Sequence, residues 1–185
     1  MEKYCDSLKN ITVVGNGPIS ENDRQKINDG KCVLRFNDMK NKRQGDKVSF
    51  VAVRDNMYNH VSTDVPLLPI ITDFNRSLPK TNLIIDPPVV AHEPYLQNQN
   101  NKIDDRMLFS ECKESKHHSE TIHGPSSGAL VLDYLNSDPR IEYIHVYGMN
   151  WNAGKFHVDF KYPGLVKTCC DKCVFHDTNG ASYEP

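Results

Sequence analysis

A short apolar run, Asn10-Ile-Thr-Val-Val14, breaks at Gly15-Asn16-Gly17-Pro18, and a second apolar run, Lys31-Cys-Val-Leu-Arg-Phe36, follows soon after. Between them Ser20 and Asp23 form a helix-cap pattern, Glu21 to Asn28 is polar enough for a surface helix, and Gly30 is a good stop. Strand, glycine turn, helix, strand is the βαβ unit of a parallel sheet. Lys47-Val-Ser-Phe-Val-Ala-Val53 reads as a third strand, first alternating and then continuously apolar, as a strand covered on both faces should be. This front end constrains the chain to an α/β architecture.

A second glycine turn lies far downstream. His123-Gly-Pro-Ser-Ser-Gly128 leads into the apolar stretch Ala129 to Leu135, a polar break, and then Ile141 to Tyr147 ending at Gly148. The pattern predicts a buried helix followed by a buried strand. Ser126 and Ser127 can cap that helix, and Gly128 lets a ligand approach its first turn. Such a helix start exposes unpaired N–H groups and the positive end of the helix dipole, which suits a phosphate. Two turns of this kind in one parallel sheet converge at its carboxyl edge.

The middle of the chain supplies two further strands, Pro66 to Thr72 and Thr81 to Ile85, at the sheet edge or closing it. Residues 86–120 are loop-like and are expected to form a lid or binding loop. After Gly148, a short helix is expected from Pro163 to Cys169 and a final strand at Cys173-Val-Phe-His176. With no internal repeat and no second core, the expectation is one domain over 1–185. It would be Rossmann-like, with a mostly parallel central sheet and helices on both faces.

Composition narrows the function classes. A formal net charge of −2 gives no general affinity for nucleic acid or an anionic membrane. The basic cluster from Lys40 to Arg43 reads as a solvated loop. No apolar run of about 18 residues exists to span a membrane, and the first residues lack a signal peptide's apolar region. The expectation is a soluble, cytoplasmic protein whose six scattered cysteines are reduced, with Cys32 in the core.

Several constellations bear on chemistry. Gly15 to Pro18 is neither a Walker loop nor a complete G-x-G-x-x-G, since Ser20 takes the third glycine's place. Gly124-Pro-Ser-Ser-Gly128 satisfies the G-x-S-x-G pattern of a hydrolase nucleophile elbow, with Asp159 and His176 available downstream as triad partners. The polar residues before it do not make the buried strand an elbow needs. Cys170-x-x-Cys173-x-x-His176, with Cys169 adjacent, could contribute zinc ligands or could simply be packed thiols. His145 alternates within a strand and reads as structural, while His117 and His118 read as solvated. His157 follows Gly148 at a distance that could return it over the glycine turns.

With both turns placed, the sequence resembles the sialyltransferase-like glycosyltransferases of the animal type. The family's large motif resembles Ile11-Thr-Val-Val-Gly-Asn-Gly17, then Val33-Leu-Arg-Phe-Asn37, then Gly45-Asp-Lys-Val48. Its small motif resembles Gly124-Pro-Ser-Ser-Gly128 and, after the helix, Val146-Tyr-Gly148. The very small motif, H-x-x-x-x-E, has its counterpart at His157, with Tyr162 where the glutamate should stand; His176-Asp177 is the alternative. The small-motif helix also lacks the family's paired cysteine.

The resemblance implies a minimal soluble form of a variant GT-A-like fold. It also implies inverting transfer of a keto-sugar acid (sialic acid or Kdo type) from a cytidine monophosphate (CMP) sugar to a glycan hydroxyl. Asn16, Gly17, Ser126, Ser127 and Gly128 would receive the donor phosphate, and the amide of Asn37 would bridge nucleotide and acceptor. Tyr147, Gly148 and Trp151 would complete the substrate site. His157, or alternatively His176, would be the general base, since an imidazole accepts protons near neutral pH. Neither a metal nor a cofactor is expected, in keeping with the absence of a D-x-D pair. Two other readings remain: a serine hydrolase, and a nucleotide-sugar-binding module without catalysis.

Overall fold

β1 (Asn10–Val14) lies near the middle of the sheet in the computed structural model, and the rest of the chain is laid out on either side of it. The structure describes residues 1–61, 64–71, 83–85, 89–90, 127–149, 170–176 and 182–183. After β1 come α1 (Glu21–Asp29), β2 (Cys32–Phe36), β3 (Phe50–Arg54), β4 (Leu67–Ile71) and β5 (Val89–Val90). Then follow α2 (Ser127–Ser137), β6 (Tyr143–Tyr147), β7 (Cys173–His176) and β8 (Ser182–Tyr183). The eight strands are ordered β5-β4-β3-β2-β1-β6-β7-β8, and only the β7–β8 pair is antiparallel. The chain is therefore an α/β protein built on a mostly parallel sheet.

Strand periodicity sorts the core onto two faces. Ile11, Val13, Leu34, Phe36, Phe50, Ala52, Ile144 and Val146 share one buried cluster with Leu130, Val131, Leu132 and Leu135 of α2. The alternate residues Val14, Val33 and Tyr147 pack on the other face against Ile27 of α1. Val51, Val53 and Leu67 form a further cluster on that side with Val61. Covering both faces is what lets β2 be buried along its whole length.

α1 has little apolar surface with which to dock, since its sequence is Glu-Asn-Asp-Arg-Gln-Lys-Ile-Asn-Asp. It is held by polar ties instead. Ser20 caps it, accepting from the Asp23 N–H at 3.1 Å and donating to the Asp23 carboxylate at 2.7 Å. Asn28 accepts from the Lys47 N–H at 2.9 Å, and Arg24 reaches the loop that leads to β3. The C-terminal end of α2 meets the start of β7, where Asn136 accepts from the Lys172 N–H at 3.3 Å. The first turn of α2 consequently lies toward the sheet's carboxyl edge.

Three sequence expectations are corrected. β3 begins at Phe50 rather than Lys47, because the Ser49 hydroxyl, not a backbone carbonyl, accepts from the Val33 N–H. Residues 86–120 were expected to be loop throughout, yet Val89–Val90 adds a parallel edge strand beside Ile70 and Ile71. The expectation of reduced thiols also gives way: Cys5 is bonded to Cys32, and Cys170 to Cys173. A short 3-10 turn at Glu2–Tyr4 carries Cys5 to the start of β2, where the two Cα atoms are 4.8 Å apart. Among the described residues no helix is long and apolar enough to cross a membrane.

Candidate functional site

From β1 the chain moves outward through β2, β3, β4 and β5, then returns to place β6 on the other edge of β1. Open parallel sheets form ligand crevices outside the carboxyl ends of the strands where the order reverses in this way. Here those ends carry Gly15 and Gly148. The Gly15 N–H donates to the Tyr147 carbonyl at 2.8 Å, and the Gly17 N–H to the Gly148 carbonyl at 2.7 Å. A Cβ on Gly15 would stand 2.5 Å from the Gly148 oxygen, so this approach requires glycine. Gly148 itself has φ +60°, the left-handed region. The first glycine turn and the end of β6 are thus stitched backbone to backbone.

Asn41 fixes the turn from below. Its Nδ2 donates to the carbonyls of both Gly15 (2.7 Å) and Gly17 (2.6 Å), while its Oδ1 accepts from Arg35 Nη1 at 3.1 Å. The partners determine the amide's orientation, since a reversed amide would set oxygen against two carbonyls. Behind Asn41 lie three buried charges. Arg24 and Arg35 both pair with Asp46, and Arg24 also donates to the Asn41 carbonyl at 3.3 Å. Arg35 Nη2 and Arg24 Nε are buried with no hydrogen-bond partner among the described residues. Burial lowers the Arg35 pKa, with Asp46 opposing that shift and Arg24 adding to it. Burial also works against the Asp46 carboxylate, yet the Arg43 N–H, the Asn28 amide and the two guanidiniums hold it below its ordinary value.

Asn16 and Asn37 extend the site over β2. Asn16 Nδ2 donates to Asp38 at 3.2 Å and its Oδ1 accepts from the Lys40 N–H at 3.1 Å, so its side chain organises the loop after β2. Asn37 adopts φ +44°, and its Oδ1 accepts from the Arg54 N–H at 3.2 Å. Its Nδ2 has no partner among the described residues, which leaves a half-buried, oriented donor at the carboxyl edge.

The β6–β7 side carries aromatic and imidazole groups. Tyr147 is buried on the α1 face, so what it offers the carboxyl edge is its backbone. His176 stacks on its ring with centroids 4.2 Å apart, and His176 Nε2 lies 3.3 Å from His145 Nδ1. Burial lowers the His176 pKa, aided by His145 and Lys26 and opposed by Asp23, which favours the neutral, proton-accepting imidazole. The same strand geometry removes a zinc reading of Cys170, Cys173 and His176. Cys173 and His176 are an odd number of residues apart and face opposite sides of the sheet, Cys173 in the α2 core and His176 on Tyr147. Among the described residues no group of His, Cys, Asp or Glu is arranged to hold a metal.

Of the remaining sequence candidates, Ser127 and Gly128 are half-buried in the first turn of α2, and that helix as a whole packs against β3, β4 and β5. Ser126, Trp151 and His157 lie outside the described residues, as do Gly124, Pro125 and Cys169. The acidic first turn of α1, with Glu21 and Asp23, disfavours an anion at that helix end. Sequence reading missed Asn41, Arg24 and Asp46. Their signal was Arg35, a charge inside the buried run Cys-Val-Leu-Arg-Phe, which calls for a buried counter-charge. Comparison of the chain with protein-family models, curated proteins and solved structures finds no match.

Proposed function

We propose that this chain is a sialyltransferase-like glycosyltransferase of Rossmann-like, variant GT-A-like type. It would take a keto-sugar acid from a CMP-sugar and transfer it to a glycan hydroxyl with inversion. The observation that carries this reading is the joining of Gly15 to Gly17 with Tyr147 and Gly148 where the strand order reverses. Those two stretches are also the ones that resemble the family's large and small motifs. The oriented Asn37 amide, at the end of the R-x-N segment, adds a donor suited to a nucleotide or sugar oxygen.

The transfer needs two services. The bond between the anomeric carbon and the CMP oxygen breaks, and its electron pair goes to the phosphate. Backbone N–H groups and nearby positive charge stabilise that leaving group without requiring a metal. The acceptor hydroxyl meanwhile gives its proton to an imidazole as its oxygen bonds to the anomeric carbon. His157 is the proposed base and His176 the alternative, the latter supported by its neutral-favouring surroundings.

Calorimetric titration with CMP, followed by donor hydrolysis across a panel of CMP-sugars, tests the reading. Binding together with hydrolysis of one donor is expected, and absence of CMP binding at millimolar concentration would sink it. His157→Ala and His176→Ala then identify the base, since the true one loses at least about a hundredfold in rate. A second reading, a binding module without catalysis, draws on the engagement of the Gly15 and Gly17 N–H groups within the protein and on Tyr162 at the glutamate position. CMP binding without hydrolysis of any donor would favour it.

A further inference from the structure

We infer that Asn41, held by Arg35 and Arg24, is the positioning residue of an anion site at the Gly15–Gly17 turn, and that this site takes the nucleotide's phosphate. The inference rests on the nucleotide-binding reading above, which already brings the donor phosphate to this turn, and adds to it the residue that shapes the site.

The geometry follows from planar trans peptides, in which a carbonyl and the next N–H point in opposite directions. Asn41 draws the Gly15 carbonyl toward the protein, so the N–H of Asn16 in the same peptide is turned away from it. The Gly17 carbonyl is drawn in likewise, but the next residue is Pro18, which has no N–H to present. The Gly15 and Gly17 N–H groups are already spent on Tyr147 and Gly148. The turn therefore offers one outward backbone donor, that of Asn16, and its direction depends on the Asn41 amide.

The charge behind the turn supplies the second argument. Among the described residues two guanidiniums share the single carboxylate of Asp46, leaving an excess positive charge there. The Arg35 side chain is only 1% exposed, and one of its terminal nitrogens lacks a hydrogen-bond partner among the described residues. The excess reaches the turn through Asn41, whose oxygen faces Arg35 and whose nitrogen faces the glycine carbonyls. This arrangement also polarises the Asn41 amide in the direction that strengthens its hold on those carbonyls. An approaching phosphate meets an outward N–H backed by fixed positive charge; the Asp38 carboxylate beside the Asn16 side chain is countered by Lys40 at 3.7 Å, whereas the acidic start of α1 would repel the anion.

The test compares wild type with Asn41→Ala and Asn41→Asp, each titrated with CMP, cytidine and inorganic phosphate well below its unfolding temperature. Asn41→Asp keeps the shape and the acceptor for Arg35 but cannot donate to the glycine carbonyls, and it cancels the excess charge. Wild type should bind CMP more tightly than cytidine, with the Asn16 amide resonance moving on titration. Both variants should lose at least about tenfold in CMP affinity while cytidine binding stays within about twofold. Lower stability with unchanged CMP affinity would make Asn41 merely structural and overturn the inference. CMP binding that leaves the Asn16 resonance unmoved would overturn it as well. Wild type that binds inorganic phosphate as tightly as CMP would replace the nucleotide with a free-phosphate site. Wild type that binds neither would defeat the nucleotide reading itself, a result distinct from variants that bind like wild type.

Discussion

The rings of Tyr147 and His176 lie 4.2 Å apart and within 5° of parallel, one at the end of β6 and the other at the end of β7. They are neighbours because Val146 pairs with Phe175 in the preceding register, which sets the next two residues side by side on the α1 face. Among the described residues, the charged and titratable groups around His176 include Tyr147 and His145 on β6 and Asp23 and Lys26 on α1.

This packing gives stability a pH dependence of definite sign. Burial first, then His145 and Lys26, lower the His176 pKa in the folded protein below its ordinary 6.5. The unfolded chain therefore takes up the proton at higher pH than the folded one. The histidine's contribution is complete above about pH 6.5 and is lost as pH falls toward the depressed folded value. His176→Phe keeps a stacked ring and removes the titration. Urea unfolding of both proteins between about pH 7.5 and 5 should show the wild type losing stability faster toward acid. Parallel pH profiles would refute the assignment.

Asp46 is the only carboxylate that pairs with both Arg24 and Arg35 among the described residues. Asp46→Asn keeps the side chain's volume but leaves two buried guanidiniums without a counter-charge. Breaking a buried pair from one side costs about 3–5 kcal/mol, so the variant should unfold at much lower urea or not fold at all. Arg24→Met, which leaves Arg35 paired with Asp46, should cost less. If Asp46→Asn is as stable as wild type, the cluster does not hold the loop as described.

These two sites also show where the sequence was legible. β1, α1 and β2 could be read because each signal is local: an apolar run, a Ser20 cap, a glycine stop. The Asn41 clamp could not. Lys40 to Arg43 reads as a solvated loop, and Lys40, Lys42 and Arg43 are indeed exposed. Asn41 is turned inward by partners 24 and 26 residues before it, and no local pattern announces such a pairing. The Tyr147–His176 stack was hidden for the same reason, since it depends on β7 aligning beside β6. The disulfides contradict a compartment argument, because composition says nothing about whether Cys5 and Cys32 meet.

The two disulfides should differ in their effect on stability. Cys5 and Cys32 are 27 residues apart, whereas Cys170 and Cys173 are separated by 3. Cross-linking a longer loop removes more freedom from the unfolded chain, here about 3.5 kcal/mol for the first pair. Cys5→Ser should lower the melting temperature measurably, and Cys170→Ser should lower it less. Adding a reductant to wild type, which opens both bonds, should reproduce the value of the Cys5→Ser/Cys170→Ser double variant. A melting temperature indifferent to both would mean that neither bond constrains the chain.

Gly15 and Gly148 make a paired test of the turn. Gly148→Ala puts a side chain at φ +60° with its Cβ 3.1 Å from the Gly15 oxygen. That should cost about 1–3 kcal/mol. Gly15→Ala should cost more, because its Cβ would meet the Gly148 oxygen at 2.5 Å and neither backbone can give way alone. Thermal unfolding ranks the two. The reverse order would mean that the backbone conformation of Gly148, rather than the close approach, limits the turn.

Asp133, on α2, should show the opposite pH sign to His176. Burial pushes its carboxyl from an ordinary 3.8 up to about 7. The folded protein therefore keeps this proton where the unfolded chain has released it. Its contribution is complete below about pH 4 and is lost as pH rises to about 7, beyond which the penalty is constant. Asp133→Asn retains the shape and cannot ionise. At about pH 8 the variant should be more stable than wild type by roughly 2 kcal/mol, and near pH 4 the two should converge. That difference is about half of what the full rise from 3.8 to about 7 would give, since solvent screens this half-buried carboxyl. Urea unfolding at the two pH values measures this difference. A variant less stable than wild type at about pH 8 would show that the ionised carboxylate has a stabilising partner, which burial alone does not supply.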